Sequence, residues 1–379
     1  MKKKFSTNIM LFLFISLNFL IIETNSIHNN DFSQTDHISD FTLDFNESNA
    51  YNHISTQLEF GFRVPGTSAH NNSAEWIYDQ ISTITDVAQK HEFSIQKDGQ
   101  PSYNCQNILG KINPEKEQIV IFGAHWDSRN VAEKDIYNQS QPIPGANDGG
   151  SGVGVLLELA RVLSFYKDNL SCQVWFLFID AEDQGYSRGL YGLQDWVYAE
   201  GSQVFVEDIN EFYNPSKESF ECFILLDMVG GTNLEFVKES RTNEDLHNSI
   251  FKEGRELGYN QTFSTNPKIM SITDDHLSFN SIGIPVIDLI IDFIAGDWIY
   301  HHTHSDDLSH IDSESLKITG RTIESFVKRY YTLGNDTSWK ITEKSHIFIP
   351  YVIFSVLFTT CFVMILRKKR EIKKPVLCH

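Results

Sequence analysis

The sequence predicts an α/β protein with a three-layer, open, mixed and mostly parallel sheet that carries helices on both faces. Four apolar, β-branched runs bounded by Gly, Pro or charged residues indicate buried strands at 118–124, 173–181, 222–229 and 284–291. Helical patterns alternate with these runs at 151–166, 189–200, 243–257 and 313–332, and a further helix is predicted at 71–90. Such alternation is typical of a sheet that is covered by helices on both sides.

Both ends of the chain combine basic residues with an apolar run. Residues 1–25, which begin with three lysines, are predicted to be a secretion signal or signal anchor. Residues 346–366 are apolar and long enough for one transmembrane helix, and the basic segment 367–379 predicts a cytoplasmic tail. Residues 26–50 are a predicted polar spacer, so 51–335 should form one domain on the extracytoplasmic side, in the secretory lumen or at the cell exterior.

Charge and cysteine content argue against a nucleic-acid partner and against a thiolate metal site. The formal net charge is −19, and nine of the 31 Lys and Arg residues lie in the two terminal clusters. The part between them is therefore even more acidic and repels a phosphate backbone, which argues against nucleic acid as a partner. None of the five cysteines forms a CxxC pair, so a thiolate metal site is not expected.

Polar side chains follow the predicted strands at the points where the strands end. The metal-competent ones are His125, Asp148, Glu182, Asp183, Asp227 and His302. Any one of them alone would more often be a helix cap or a surface charge, as Asp148 in its Gly-rich turn illustrates. Because the carboxyl ends of parallel strands meet at one sheet edge, we expect these six side chains to lie close together. A site that combines imidazole and carboxylate groups favours Zn²⁺ over Mg²⁺ or Ca²⁺.

In four segments the chain resembles the zinc aminopeptidase family that also contains the glutaminyl cyclases. The segments are Ala124-His125-Trp126-Asp127-Ser128-Arg129, Gly145-Ala146-Asn147-Asp148-Gly149, Asp180-Ala181-Glu182-Asp183-Gln184-Gly185 and Thr273-Asp274-Asp275-His276-Leu277. The amino-acid sequences of these segments are most similar to those of bacterial-type glutaminyl cyclases. This resemblance implies the α/β fold described above and an enzyme that acts on the amino-terminal end of peptides or proteins.

The resemblance also implies a set of metal ligands. Asp148, Asp183 and His302 would hold the principal zinc ion. Asp148 could bridge to a second ion on His125 and Asp227. Cyclase members work with one zinc and aminopeptidases with two, so one or two Zn²⁺ per chain are expected.

The proton-transfer residues implied by the resemblance are Glu182, as general acid/base, and Asp274, which helps to bind the substrate amine. The reaction is either cyclisation of an N-terminal Gln with release of ammonia or hydrolysis of the first peptide bond. Cyclases usually place Trp immediately before the terminal zinc ligand, where this chain has His301, and another Trp in the loop after Glu182, which this chain lacks. Both reactions therefore stay open. A non-catalytic receptor ectodomain is disfavoured because no ligand and no base is missing.

Overall fold

The computed structural model describes residues 42–186, 191–294 and 298–332. The helices are α1 (Glu47–Glu59), α2 (Ser68–Ile84), α3 (Gly150–Tyr166), α4 (Glu200–Glu207), α5 (Glu244–Glu256), α6 (His276–Ser281) and α7 (Ser313–Tyr330). The strands are β1 (Val87–Gln96), β2 (Ser102–Ile112), β3 (Gln118–His125), β4 (Gln173–Ile179), β5 (Ser219–Leu226), β6 (Lys238–Glu239), β7 (Ile269–Met270) and β8 (Val286–Leu289).

The predicted terminal segments, 1–25 and 346–379, lie outside the described residues. Within the described ranges, no helix has the length and apolar character needed to cross a bilayer.

Six strands form the main sheet in the order β1-β2-β4-β3-β5-β8. Strands β4, β3, β5 and β8 pair in parallel, whereas β1 and β2 join one edge in antiparallel orientation. The prediction of a mixed, mostly parallel sheet is confirmed. Because β3, β4 and β5 are parallel, their carboxyl ends meet at one edge, which is where such sheets hold their ligands.

Helices cover both faces of the sheet. One face of β3 and β4, which includes Val120 and Phe176, packs in the large core with helices α1, α2, α3, α5 and α7. The other face, which includes Ile121 and Trp175, forms a smaller core with α4 and α6. Since the central strands are apolar on both sides, they can be buried on both sides, and the predicted three layers result.

The helix predicted at 189–200 is wrong for the part that the structure describes. Residues 191–199 form turns, and α4 begins only at Glu200. The backbone of this segment bonds to the preceding loop: Tyr186 donates to the Trp196 carbonyl, and Ala199 donates to that of Glu182, at 2.8 and 2.9 Å. These tertiary hydrogen bonds outweigh the local helical pattern, which is a weak determinant.

The amino-terminal part of the domain also differs from the prediction. Helix α2 ends at Ile84, and residues 87–90 belong to strand β1, which pairs along its whole length with β2. Helix α1 begins at Glu47 behind the N-cap Asn46, so the predicted spacer boundary near residue 50 falls inside a helix. Phe45 is buried against Gly320 of α7, where a Cβ would lie 2.2 Å from its ring.

Two glycines allow α3 to begin close to the strand ends. Gly149 has φ +85°, and a Cβ there would lie 2.8 Å from the Asp127 carbonyl oxygen. A Cβ on Gly152 would lie 2.2 Å from the Leu226 carbonyl oxygen, at the end of β5. Only residues without a side chain fit at these positions, and the close approach places Asp148 between the ends of β3 and β5.

We expect Gly152→Ala to lower the free energy of unfolding by about 1–3 kcal/mol, because the added methyl group forces α3 away from β5. The same replacement inside an unstrained helix is normally stabilising. Denaturant unfolding measures the change, with Gly99→Asn as control, since Gly99 has φ +73° with no atom within 4 Å of its Cβ position. Unchanged stability of Gly152→Ala would contradict the close contact.

Candidate metal centre

A cavity of about 330 Å³ lies at the carboxyl ends of the parallel strands. Six of the seven site residues proposed from the sequence line it: Asp148, Glu182, Asp183, Asp227, Asp274 and His302. The seventh, His125, is almost fully buried and contacts Asp148 and Asp227. The fold therefore brings together all seven side chains, which the sequence separates by up to 177 positions.

The first candidate ligand group is the one implied by the family resemblance, Asp148, Asp183 and His302; the donor atoms of Asp148, His301 and His302 also lie within 4.8 Å of one another. His302 Nε2 lies 3.0 Å from Asp183 Oδ1 and 3.7 Å from Asp148 Oδ2. The other ring nitrogen, Nδ1, donates to Glu133 Oε1 at 2.8 Å, so Nε2 is the nitrogen that would bind a cation together with the two aspartates. A histidine that binds a metal usually has its second nitrogen held by a carboxylate in this way. Arg129 in turn holds Glu133 at 2.8 Å.

The second ligand group shares Asp148 with the first. His125 Nε2 lies 3.2 Å from Asp148 Oδ1 and 3.2 Å from Asp227 Oδ1. One oxygen of Asp148 thus faces His125 while the other faces His302, which is the arrangement that a bridging carboxylate requires. In the described chain, these three donor atoms lie within 4.8 Å of one another.

The donor atoms suit a divalent cation such as Zn²⁺. Within the described residues, Asp148 Oδ2 and Asp183 Oδ2 are buried and accept no hydrogen bond. Burial, together with the charge of Asp148, raises the pKa of both Asp183 and Asp227. A cation at this position would supply the missing partners and relieve the repulsion, and mixed nitrogen and carboxylate donors are those that Zn²⁺ prefers.

Asp127, which the sequence analysis did not single out, positions the loop after β4. Its two oxygens accept hydrogen bonds from the backbone N–H groups of Glu182 and Asp183, at 3.0 and 3.2 Å, and from the Gln184 side chain at 2.9 Å. Ala181 begins this loop with φ +57°. The adjacent acids are therefore held by a buried carboxylate from the neighbouring strand. The position of Asp127, two residues after His125, was the one feature of the sequence that could have indicated this role.

Asp306 and Arg63 anchor the turn that carries Asp148, and the sequence analysis missed both. Asp306 accepts from the backbone N–H groups of Asn147 and Asp148 at 2.7 and 3.1 Å. Burial and the nearby Asp148 raise the pKa of Asp306 to about 8. The fully buried Arg63 donates to the carbonyl oxygens of Trp126, Pro144 and Gly145. No sequence pattern marks these partners, because they are distant along the chain.

Glu182 lies beside the ligand groups without belonging to one. The structure places it in the cavity wall, and among the described residues none of the groups whose donor atoms lie within 4.8 Å of one another includes Glu182 or Asp183. Asp183 differs in that its Oδ1 lies 3.0 Å from His302 Nε2. Burial raises its pKa well above the ordinary value, and the charges of Asp274 and Asp183 raise it further. A carboxyl group with a raised pKa can hold and release a proton near neutral pH, as a general acid/base requires.

Asp274 connects the cavity to a third buried cluster. Burial, with repulsion from Asp227, raises the pKa of Asp274 to about 8. Behind it, His276 Nε2 lies 3.2 Å from Glu239 Oε2, and His276 Nδ1 lies 3.6 Å from Asp288 Oδ2. Asp274 is thus the only one of these four residues that lines the cavity, and the others form its buried support.

His301 also lines the cavity, although it was not among the predicted site residues. Its ring stacks on that of His302 with centroids 3.7 Å apart, and its Nε2 lies 3.7 Å from Asp148 Oδ2. Phe293 packs against the outer side of the ring at 4.4 Å. In the sequence, this position stands out only because the Trp that is usual in cyclases is absent.

Curated relatives include enzymes of two kinds. The chain is 24% identical over 251 residues to a glutaminyl-peptide cyclotransferase of Gloydius blomhoffii, covering 60% of this chain and 66% of that protein. It is 28% identical over 254 residues to an aminopeptidase of Bacillus subtilis (strain 168), covering 64% and 48%. The chain thus spans less than two thirds of the length of either relative.

Solved structures of the same two kinds share the fold. A glutaminyl cyclase of Bacteroides thetaiotaomicron, bound to N-acetylhistamine, matches with a TM-score of 0.68 and 30% identity over 75% of this chain and 97% of that one. A Zn-dependent exopeptidase of Parabacteroides distasonis matches with a TM-score of 0.68 and 32% identity, over 76% and 99%. Similarity alone therefore does not distinguish the two reactions.

The family model for peptidase family M28 matches residues 107–327, a range that contains every residue of both ligand groups. Together with the shared fold and the strand-end donors, this match shows that the chain belongs to peptidase family M28.

Proposed function

We propose that this protein is a zinc-dependent enzyme acting on the amino-terminal residue of peptides, and specifically a glutaminyl-peptide cyclotransferase. The observation that carries the proposal is the division between two adjacent acids. Asp183 Oδ1 lies 3.0 Å from His302 Nε2, the nitrogen that also faces Asp148, whereas Glu182 lines the cavity beside it with a pKa that burial raises well above its ordinary value. A metal-bound carbonyl next to a proton carrier is what acyl transfer from an amide needs.

Asp148, Asp183 and His302 would hold the principal zinc ion through the oxygens and the nitrogen that face each other. When bound, zinc supplies a Lewis acid for the carbonyl oxygen of the substrate amide. Glu133 and Arg129 keep His302 in the tautomer that presents Nε2. Burial of this group keeps competing water away and strengthens the electrostatic interactions within it.

In the cyclisation, the α-amino nitrogen of an N-terminal Gln forms a bond with its own side-chain carbonyl carbon, and ammonia leaves. Glu182 takes the proton that the amine loses and delivers it to the departing ammonia, so no water is consumed. Asp274 holds the amine by hydrogen bonding. Its position on the cavity wall and the acidic surroundings favour a positively charged or donor-rich chain terminus at this point.

The second candidate function is aminopeptidase activity, which the complete second ligand group favours. His125, Asp148 and Asp227 could hold another ion close to the first, as two-metal hydrolases require. Glu182 would then accept a proton from the attacking water and pass it to the new amino terminus. The same residue serves both reactions.

We further propose, from the sequence alone, that the domain is extracytoplasmic and is tethered by one membrane helix at 346–366. The support is the apolar run followed by basic residues in segment 367–379.

The two reactions differ in their products, and we expect the purified full-length protein with zinc to convert Gln-peptides into pyroglutamyl peptides. Mass spectrometry would show a loss of ammonia with no free amino acid released. Release of free Leu from Leu-peptides would instead establish the aminopeptidase. If zinc-loaded protein changes neither substrate, the proposed function is wrong.

For Glu182→Gln we expect turnover to fall by about two to four orders of magnitude with zinc content unchanged, since the amide is nearly isosteric but carries no proton between states. The matched variant is Asp183→Asn, which removes an anionic ligand and should lose zinc along with activity. Measuring both the zinc content and the turnover rate of each variant separates the two roles. Near-normal turnover in Glu182→Gln, or loss of zinc from it, would contradict the division.

Removal of zinc by a chelator should lower the melting temperature, because the carboxylates of Asp148, Asp183 and Asp227 are then left facing one another. At free zinc about 1,000-fold above its dissociation constant, binding adds about 4 kcal/mol to the free energy of unfolding. Differential scanning calorimetry before and after chelation measures the shift, and added zinc should reverse it. One zinc per active chain favours the cyclase, whereas two at full activity favour the aminopeptidase.

A further inference from the structure

Helix α7 crosses the sheet from its carboxyl edge to its amino edge. Near the beginning of the helix, the Ser315 hydroxyl group donates to the Gly231 carbonyl oxygen at 2.7 Å, in the loop that follows β5. Just after its end, the Tyr331 carbonyl oxygen accepts a hydrogen bond from the backbone N–H group of Ser171 at 2.7 Å, two residues before β4 begins. The described chain therefore leaves the domain at the edge opposite to the metal centre.

Helix α3 runs in the same direction and ends at the same place. It begins two residues after Asp148 and ends with Tyr166, whose hydroxyl oxygen lies 3.5 Å from Thr332 Oγ1. Leu170 and Thr332 also pair as an antiparallel bridge. The 18 residues of α7 span about 27 Å, because an α-helix rises about 1.5 Å per residue. The exit of the described chain at Thr332 is thus separated from the carboxyl edge by the full height of the sheet.

The segment between this exit and the proposed membrane helix is short. It comprises the 13 residues 333–345, which reach at most about 45 Å even when fully extended. For the cavity to face the bilayer, the exit would have to stand about 50 Å above it, because a compact domain of this length is about that wide. A bound peptide would add to that height. The segment is therefore too short to turn the cavity towards the membrane, whatever conformation it adopts.

We propose that the amino edge of the sheet faces the bilayer and that the cavity opens away from it, so that the substrates are peptides whose amino terminus stands well clear of the membrane. The inference rests on the tether and the activity proposed above, and it deepens the latter by naming the substrate class. Amino termini that lie at the surface of the same bilayer are excluded. Because the restriction is geometric, it applies equally to cyclisation and to hydrolysis.

Two exposed side chains can report the orientation. Phe165, which is 82% exposed, is the second-last residue of α3 and lies at the amino edge. Ile136, which is 86% exposed, lies in the loop in which Lys134 donates its backbone N–H group to the His302 carbonyl oxygen at 3.3 Å, beside the cavity. A fluorescent donor on Phe165→Cys or Ile136→Cys, with acceptor lipids in the vesicles, measures the height of each position above the bilayer.

Both labelled variants are full-length, zinc-loaded and reconstituted into vesicles. They also carry Cys361→Ser and Cys378→Ser, since the cysteines of the described domain are buried. Energy transfer from Phe165→Cys should be several times as efficient as from Ile136→Cys, because the two heights differ by about the length of a helix that crosses the sheet. Equal transfer, or stronger transfer from Ile136→Cys, would overturn the proposal.

The substrate class is tested with Gln-peptides that are joined at their carboxyl end to a lipid. In vesicles that hold the unaltered protein, a peptide on a short spacer should be converted at least about tenfold more slowly than the free peptide, because its spacer cannot bring it to the cavity. A peptide on a spacer longer than the domain should be converted readily. Detergent should restore conversion of the short-spacer peptide, which would show that it is a competent substrate.

A longer tether provides the matched variant. An insert of about 30 Gly and Ser residues within 333–345 gives a flexible connection that lets the domain turn over, so conversion of the short-spacer peptide in vesicles should rise towards that of the free peptide. The same insert after His379 should leave it slow. If the unaltered protein converts short-spacer and free peptides equally fast in vesicles, the proposal is wrong.

The failures can be told apart. If alkaline carbonate extracts the unaltered protein from membranes, the proposed tether has failed, and the present inference fails with it. If the protein stays in the membrane but turns over neither free Gln-peptides nor free Leu-peptides, the proposed activity has failed, and the energy-transfer comparison still decides the orientation. If free peptides are turned over and Ile136→Cys lies nearer to the lipid than Phe165→Cys, only the present inference is wrong.

Discussion

Asp148 lies between two ligand groups, with one carboxylate oxygen facing His125 and the other facing His301 and His302. Asp183 and Asp227 approach it from the ends of two other strands, and burial sets these charges against one another. The repulsion must be balanced, because an unpaired buried charge costs several kcal/mol. The histidines and the proposed zinc ion offset the repulsion among these carboxylates, and the anchored loops hold the carboxylates in place.

The backbone of the site is strained at several of the loops that supply its side chains. Ala181 precedes the two acids, Met228 follows Asp227, and His302 is itself a proposed ligand, and each has a positive φ between 49° and 57°. Each such residue costs on the order of 1–3 kcal/mol, which the surrounding hydrogen bonds and packing must offset. Asp127 and Asp306 supply part of that compensation, since each fixes two consecutive backbone N–H groups.

Both proposed reactions can use the same principal ligand group and the same proton carrier, and they differ in whether the second group, His125, Asp148 and Asp227, also holds an ion. His301 lines the cavity next to His302, and Lys134 contacts His301 Nδ1.

The fold class and the meeting of polar side chains at one sheet edge could be predicted from the sequence, because both rest on local information. The roles of the seven site residues were implied by the family resemblance and stay predictions. The strands β3, β4 and β5 are short apolar runs, and the donors lie where those runs end, so knowing the strand order was unnecessary. Parallel strands bring their carboxyl ends together whatever their order, which is why His125, Asp183 and Asp227 could be grouped in advance.

Only the tertiary structure decided the rest, since it depends on partners that are distant in the chain. The turns at 191–199 replaced a predicted helix because their backbone bonds to the loop of Glu182. The edge strand β1 is half-buried and pairs through backbone groups, so its sequence carries no apolar run. The contact between Lys134 and His301 joins residues 167 positions apart, and no local pattern records a contact across that separation.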